Sequence, residues 1–409
     1  MEQTRMLFGT TPIDFILFSL ILLGVAILPE RTFQVAIIGL AVILAYKFFF
    51  TGFKFGPGLG GFGLQMAHEW VTLSNLFLLL LGFSLLADHF ERTGIPELLP
   101  RFLPNSWVGG FLLLVLIFII SSFLDNIAAA MIGGTIAYSV YHGKVHITYL
   151  AAIVAASNAG GSGSVLGDTT TTMMWIAGAN PVDVLHAYVA AVPALFIFGI
   201  PCAIIQEQHA PFSPPDAAHH HETDWGRFGI VFLVLIAVIV VNYLSNVVFR
   251  GLATHLPVLG LTVWATLLVT APIRRPNWSL IPKNLKGTIF LLCLVMAASL
   301  MPVDKLPPAS WHTAYVLGFV SAVFDNIPLT ALAIAQGGFD LGMLAFAVGF
   351  GGSMIWFGSS AGVGLANMYP EMRNTFSWMK NGWPVSVAYV IGFFILLGVV
   401  GWEPTVTAP

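Results

Sequence analysis

Charged side chains are scarce: Asp, Glu, Lys and Arg make up 9% of the 409 residues, against about a quarter in an ordinary soluble domain. So few charges cannot keep in water a chain that is 57% hydrophobic with a mean hydropathy of +0.88, and the bilayer has to be its solvent. Cysteine is nearly missing. Cys202 and Cys293 both lie inside apolar runs, where a lone thiol behaves as a small hydrophobe, and neither is given a redox or metal role. A net charge of −3 over so long a chain points to no nucleic-acid partner and no anionic-lipid clamp. Soluble-enzyme motifs are missing too. There is no nucleophile elbow, no metal-ligand pair and no base beside a serine, so a membrane hydrolase ranks last among the functions considered, and neither catalysis nor a bound cofactor is expected.

What is present is apolar sequence in span-length runs, near 13–29, 33–50, 71–89, 147–178, 186–206, 228–249, 256–274, 287–302, 341–368 and 383–402. That predicts an all-α polytopic membrane protein of about ten spans. The first run has no small-residue cleavage site after it, so it is expected to be a retained span rather than a signal peptide. Lys47 falls near a span end, where it is expected to snorkel. Two further apolar segments, 107–141 and 310–336, are each split by a central Asp-Asn. The arms of the second are too short to cross a hydrocarbon core of roughly 30 Å, which predicts re-entrant hairpins rather than pairs of full spans.

The chain also repeats itself. Ser121-Ser-Phe-Leu-Asp125-Asn126-Ile127 matches Ser321-Ala-Val-Phe-Asp325-Asn326-Ile327, and Gly160-Gly161-Ser162 with Gly167-Asp168 matches Gly351-Gly352-Ser353 with Gly358-Ser359 at identical spacing. Lys and Arg, among them Arg92, Arg101, Lys144, Arg227, Lys283 and Lys286, collect on one side if each hairpin returns to the side it entered. The positive-inside rule then puts both termini outside the cytoplasm and inverts the two hairpins. The expectation is two inverted repeats, 1–206 and 228–409, joined by a cytoplasmic linker at 207–227. Each repeat holds one hairpin and one broken span, 147–178 or 341–368. Secondary transporters are built this way, with their site at the midplane where broken helices meet.

Asp125, Asp168 and Asp325 are the acids expected deep in the membrane, where an unpaired carboxylate costs at least roughly 2.5–3.5 kcal/mol and needs a proton, a cation or a partner. A proton and a sodium ion competing for the same oxygens is the minimum machinery for exchange. Asn126, Asn158 and Asn326 add carbonyl oxygens, and Ser157, Ser162, Thr169, Thr170, Thr171, Ser353, Ser359 and Ser360 add hydroxyls, the all-oxygen shell that hard cations take. Sodium is expected at Asp125, Asn158, Asp168 and Asp325. The glycines between Ser157 and Thr172 predict an unwound midplane segment, with close helix packing through Gly160 and Ser164 as the bland alternative. His219-His220-His221, with Asp216, Glu222 and Asp224, reads as a solvated tether.

The motifs Ser-Phe-Leu-Asp-Asn, Asn-Ala-Gly-Gly-x-x-x-x-x-Gly-Asp-x-Thr-Thr, Asp-Asn-Ile-Pro-Leu and Gly-Gly-Ser-x-x-x-x-Gly-Ser-Ser-Ala-Gly, over about residues 71 to 368, resemble the NhaD-type sodium/proton antiporters. Those belong to the ion transporter superfamily, with arsenite permeases and citrate or dicarboxylate carriers as relatives. The resemblance implies a bacterial inner-membrane homodimer in contact with lipid. Each protomer would have a scaffold and a mobile elevator part bearing both hairpins. It carries function to Asp125, Asn126, Asn158, Asp168, Thr170, Thr171, Ser321, Asp325, Ser359 and Ser360. Ser157-Asn158 also matches the start of the Ser-Asn-Thr pattern of the carboxylate carriers, so a sodium- or proton-coupled carrier of citrate, dicarboxylate or an inorganic oxyanion is the alternative to sodium/proton antiport.

Overall fold

A computed structural model of the chain describes residues 6–7, 11–28, 31–213, 223–249 and 252–405. The described residues are overwhelmingly helical, and their strand pairing is limited to Met6–Leu7 against Thr11–Pro12 and an isolated bridge between Phe53 and Gly56. Five helices are long and apolar enough to cross a membrane: Thr32–Thr51, Gly58–Glu91, Pro181–His209, Trp225–Tyr243 and Leu280–Ser299. A sixth candidate joins Thr375–Asn381 to Trp383–Val399 across a 58° bend. Shorter apolar helices include Ile13–Val25, Trp107–Ser121, Asn126–Val140, Val258–Thr270 and Leu341–Met354. The chain is a multi-pass membrane protein.

Both segments with a central Asp-Asn are helix, break, helix. Trp107–Ser121 is followed by Asn126–Val140, and Trp311–Val323 by Asn326–Gln336. The break at Asp125 has a local cause: its carboxylate accepts the Ile127 N–H at 3.2 Å, replacing a carbonyl of the preceding turn and starting a new helix. Run 147–178 is interrupted as well, into Ile147–Ser162 and Thr169–Ile176, with Asp168 capping the second piece through the Thr170 N–H at 3.2 Å. In run 341–368 the helix passes through a π turn at Phe346–Phe350 and stops before Ser359, which caps Ser360–Met368.

The residues fall into two compact units. One holds 1–85, 233–308 and 327–337, and the other holds 86–232, 309–326 and 338–409, so each gathers segments from both sequence halves. In the first unit Thr32–Tyr46 packs against Ile13–Ile27 and Leu280–Ser299. Here the structure corrects the expectation for Lys47. It does not snorkel; its ammonium lies 3.0 Å from the Asp14 carboxylate with both side chains 1% exposed. Asp14 satisfies the charge, so the lysine has no need to reach the headgroups. A further difference is that helix Gly58–Glu91 begins at Gly58, ahead of the expected span start at 71.

In the second unit Ile147–Ser162 is the central element, buried from Thr148 to Ser162. Trp107–Ser121, Asn126–Val140 and Tyr188–His209 pack on it, and Trp383–Val399 packs on Tyr188–His209. The tether residues Asp216, His219, His220, His221 and Glu222 lie outside the described residues. Asp224 is described: its N–H donates to the Thr93 carbonyl and its carboxylate pairs with Arg227 at 3.5 Å.

Candidate functional site

All fifteen side chains singled out from the sequence belong to the second unit. The site is assembled by hydrogen bonds between hairpin and broken span. Ser121 Oγ donates to the Ser157 carbonyl at 2.5 Å, and Ser321 Oγ donates to the Val348 carbonyl at 2.7 Å. Ser121 and Ser321 are matched in the hairpin motif, and Ser157 and Val348 are matched by the alignment of the glycine motifs. The same bond is therefore made twice. Glycine allows the approach: a Cβ on Gly160 would collide with the Phe118 carbonyl, and one on Gly351 would stand 2.5 Å from the Gly318 carbonyl. Gly160 itself is helical and serves the close packing, while the unwound stretch expected between Ser157 and Thr172 is confined to 163–168.

Asp168 sits at the end of this scaffold, 2% exposed. One carboxylate oxygen accepts the Thr170 N–H, and the other faces the Asn326 side-chain amide at 3.5 Å. Thr170 Oγ1 is buried against the same carboxylate without completing a well-formed hydrogen bond. Asp125 and Asp325 are both within electrostatic range of Asp168. Asp325 accepts from Ser360 Oγ at 3.3 Å, and Asp125 from the Ile127 N–H. A second cluster surrounds Asn158, which is fully buried: its Oδ1 accepts from Asn126 Nδ2 at 3.0 Å, and its Nδ2 donates to Ser353 Oγ at 2.9 Å and Ser359 Oγ at 3.0 Å.

Other expected site residues do different work. Ser157 and Ser162 donate their hydroxyl protons to carbonyls in their own helix turn, and Thr171 donates to the Ser164 and Asp168 carbonyls, closing the break. Ser321 ties hairpin to span. Thr169, 8% exposed, opens the helix that Asp168 caps. One position was not singled out from the sequence. Gly349 lies beside Asp168, and a Cβ built on it would stand 3.5 Å from Oδ2. The only signal for it is indirect, since in the aligned glycine motifs Gly349 holds the place of Asn158.

Against known proteins, no family model matches the chain. Individual relatives do. Sodium/proton antiporter 2 of Arabidopsis thaliana is 27% identical over 338 residues, covering 73% of this chain and 76% of that protein. The Na(+)/H(+) antiporter NhaD of Vibrio parahaemolyticus is 26% identical over 374 residues, covering 77% of this chain and 87% of its own length. The chain is a distant relative of the NhaD-type antiporters. Sodium/proton antiporter 1 of Arabidopsis thaliana matches at 25% over 355 residues, and there the chain spans only 58% of the relative's length. These NhaD-type relatives are named for sodium/proton exchange, and their names lend nothing to the anion-carrier alternative.

Chemically, the Asp168 cluster offers carboxylate, amide and hydroxyl oxygens. Such a set can hold a hard cation or a proton.

Proposed function

We propose that the chain is an inner-membrane sodium/proton antiporter in which sodium and protons compete for Asp168, with Asp125 and Asp325 as its charged neighbours. The observation that carries this is how Asp168 is held. Its carboxylate is buried, and the hydrogen bonds it accepts among the described residues come from the Thr170 N–H and the Asn326 amide, both neutral. A buried carboxylate without a cationic side chain is tolerable when protonated or when a cation sits on it, and these two states exclude each other. Exclusive occupancy is what exchange requires. The names of the relatives favour sodium as the cation.

The finer architecture is part of the same reading: about ten spans, two inverted repeats over 1–206 and 228–409, both termini outside the cytoplasm, and a homodimer of the ion transporter superfamily working by an elevator motion. The doubled serine bond, Ser121 to Ser157 and Ser321 to Val348, supports the repeat. Thr169, Thr170 and Thr171 supply or position oxygens around the cation at Asp168, while Asn126, Asn158, Ser353, Ser359 and Ser360 form the neighbouring polar cluster that ties hairpins to spans. The test is sodium addition to proteoliposomes with an acidic lumen, read by dequenching of a pH-sensitive dye. Proton efflux with no organic anion present is expected. Sodium that moves no protons, together with labelled carboxylate uptake that requires sodium, would overturn antiport in favour of an anion carrier.

A further inference from the structure

The two broken spans share a motif but differ in the side chains at its centre. Aligned on Gly160-Gly161-Ser162 and Gly351-Gly352-Ser353, Asp168 corresponds to Ser359, Thr170 to Ala361, and Asn158 to Gly349. Local geometry follows the alignment. Asp168 and Ser359 each cap the second helix of their span, and the paired serine bonds tie both spans to their hairpins in the same way.

At the Ser359 cap the Asn158 side chain enters from the other span. Its Nδ2 donates to Ser353 Oγ and Ser359 Oγ, and its Oδ1 accepts from Asn126. At the Asp168 cap the corresponding position is Gly349. A Cβ there would make ordinary contacts, 3.4 Å from Ser162 Cβ and 3.5 Å from Asp168 Oδ2, so the room that Asn158 fills on one side is not filled by a side chain on the other. Asn326, the counterpart of Asn126, meets no side chain at Gly349 and faces Asp168 instead. Thr170 brings to the Asp168 side a buried hydroxyl without a well-formed hydrogen bond, where the Ser359 side has Ala361.

One cap is thus neutral and closed by an amide, whose two N–H groups point at two oxygens as a cation would. The other holds a buried carboxylate that the Asn326 amide approaches at 3.5 Å, an under-satisfied hydroxyl, and at Gly349 no side chain in the place Asn158 fills. We propose that the Asn158 amide nitrogen stands where a second cation would otherwise bind, so that each chain has one exchangeable sodium site, at Asp168. Asn158 and Gly349 together set that number. This rests on the reading of Asp168 as the site shared by sodium and protons.

Equilibrium binding of radioactive sodium to the purified full-length protein in detergent tests it. Wild type should bind one sodium per chain, displaced by lowering pH. The combined substitution Asn158→Gly with Ser359→Asp should raise the number to two. Gly349→Asn should plug the remaining site and weaken sodium binding roughly 10–100-fold in protein that still elutes as a single species. Two sodium ions per wild-type chain, with sodium-driven proton efflux intact, would overturn the proposal and leave antiport standing. Wild-type affinity in folded Gly349→Asn, or one sodium in the folded double variant, would overturn it as well. No sodium binding and no proton efflux in wild type would instead sink the antiport reading beneath it. If neither variant yields folded protein, the wild-type stoichiometry decides alone.

Discussion

Two aspartates in this chain are equally hidden from solvent and held in opposite ways. Asp14, 1% exposed, lies in the first compact unit with the Lys47 ammonium 3.0 Å away. Asp168, 2% exposed, lies in the second and is held by a backbone N–H and an amide. The lysine is a countercharge that is covalently part of the chain, so the partner of Asp14 cannot leave. Neutral donors orient the Asp168 carboxylate without cancelling its charge, and that leaves the cancelling to something mobile. A buried acid is structural or exchangeable according to whether its cation is covalently part of the chain.

The sharpest way to break this contrast is to neutralise each acid in turn. Asp168→Asn keeps the size and the capping oxygen while removing the exchangeable charge, so sodium-driven proton efflux should fall to the protein-free background with expression unchanged. An Asp168→Asn protein that exchanges at the wild-type rate would make Asp168 structural, like Asp14. The opposite outcome is expected on the other side of the comparison. Lys47→Met strands the Asp14 charge, and losing one partner of a buried pair costs roughly 3–5 kcal/mol. The midpoint of thermal unfolding in detergent should drop accordingly, whereas the surviving folded protein should exchange normally. Adding Asp14→Asn should recover most of the loss, because a stranded charge does the harm.

Much of the site is legible in the sequence. Asp125, Asp168 and Asp325 stand out because carboxylates are rare in so apolar a chain, and the breaks at Asp125 and Asp168 follow from a short acidic side chain capping its own next turn. What is not legible depends mostly on distant partners. Nothing within the run holding Lys47 reveals that an acid from the first helix meets it, so a lysine near a span end reads as one that snorkels. The helix that carries the span expected from 71 begins already at Gly58, a start that glycine's poor helix propensity hides from the sequence. The division of labour between Asn158 and Gly349 is hidden for the same reason as the partner of Lys47. An alignment of the two motifs pairs them, but only packing puts the Asn158 amide on Ser353 and Ser359 and leaves the Asp168 cap without such a plug.

The smallest expected effect concerns a third carboxylate that belongs to neither extreme. Asp325 is part-exposed, accepts from Ser360 Oγ at 3.3 Å and lies within electrostatic range of Asp168. If it shares in proton binding, a sodium ion arriving at Asp168 displaces protons from both acids, and apparent sodium affinity should weaken steeply as pH falls, since a protonated carboxyl is a poorer ligand. Asp325→Asn removes one of the two exchangers but leaves the hydrogen bond from Ser360 a carbonyl oxygen to reach. Exchange should therefore survive at reduced affinity, while the dependence of that affinity on pH falls from roughly two decades per pH unit toward roughly one, the limits for two displaced protons and one. Dye dequenching at a series of sodium concentrations and pH values measures the slope. An unchanged slope in Asp325→Asn would place Asp325 with Asp14, as a charge the fold carries rather than one it exchanges.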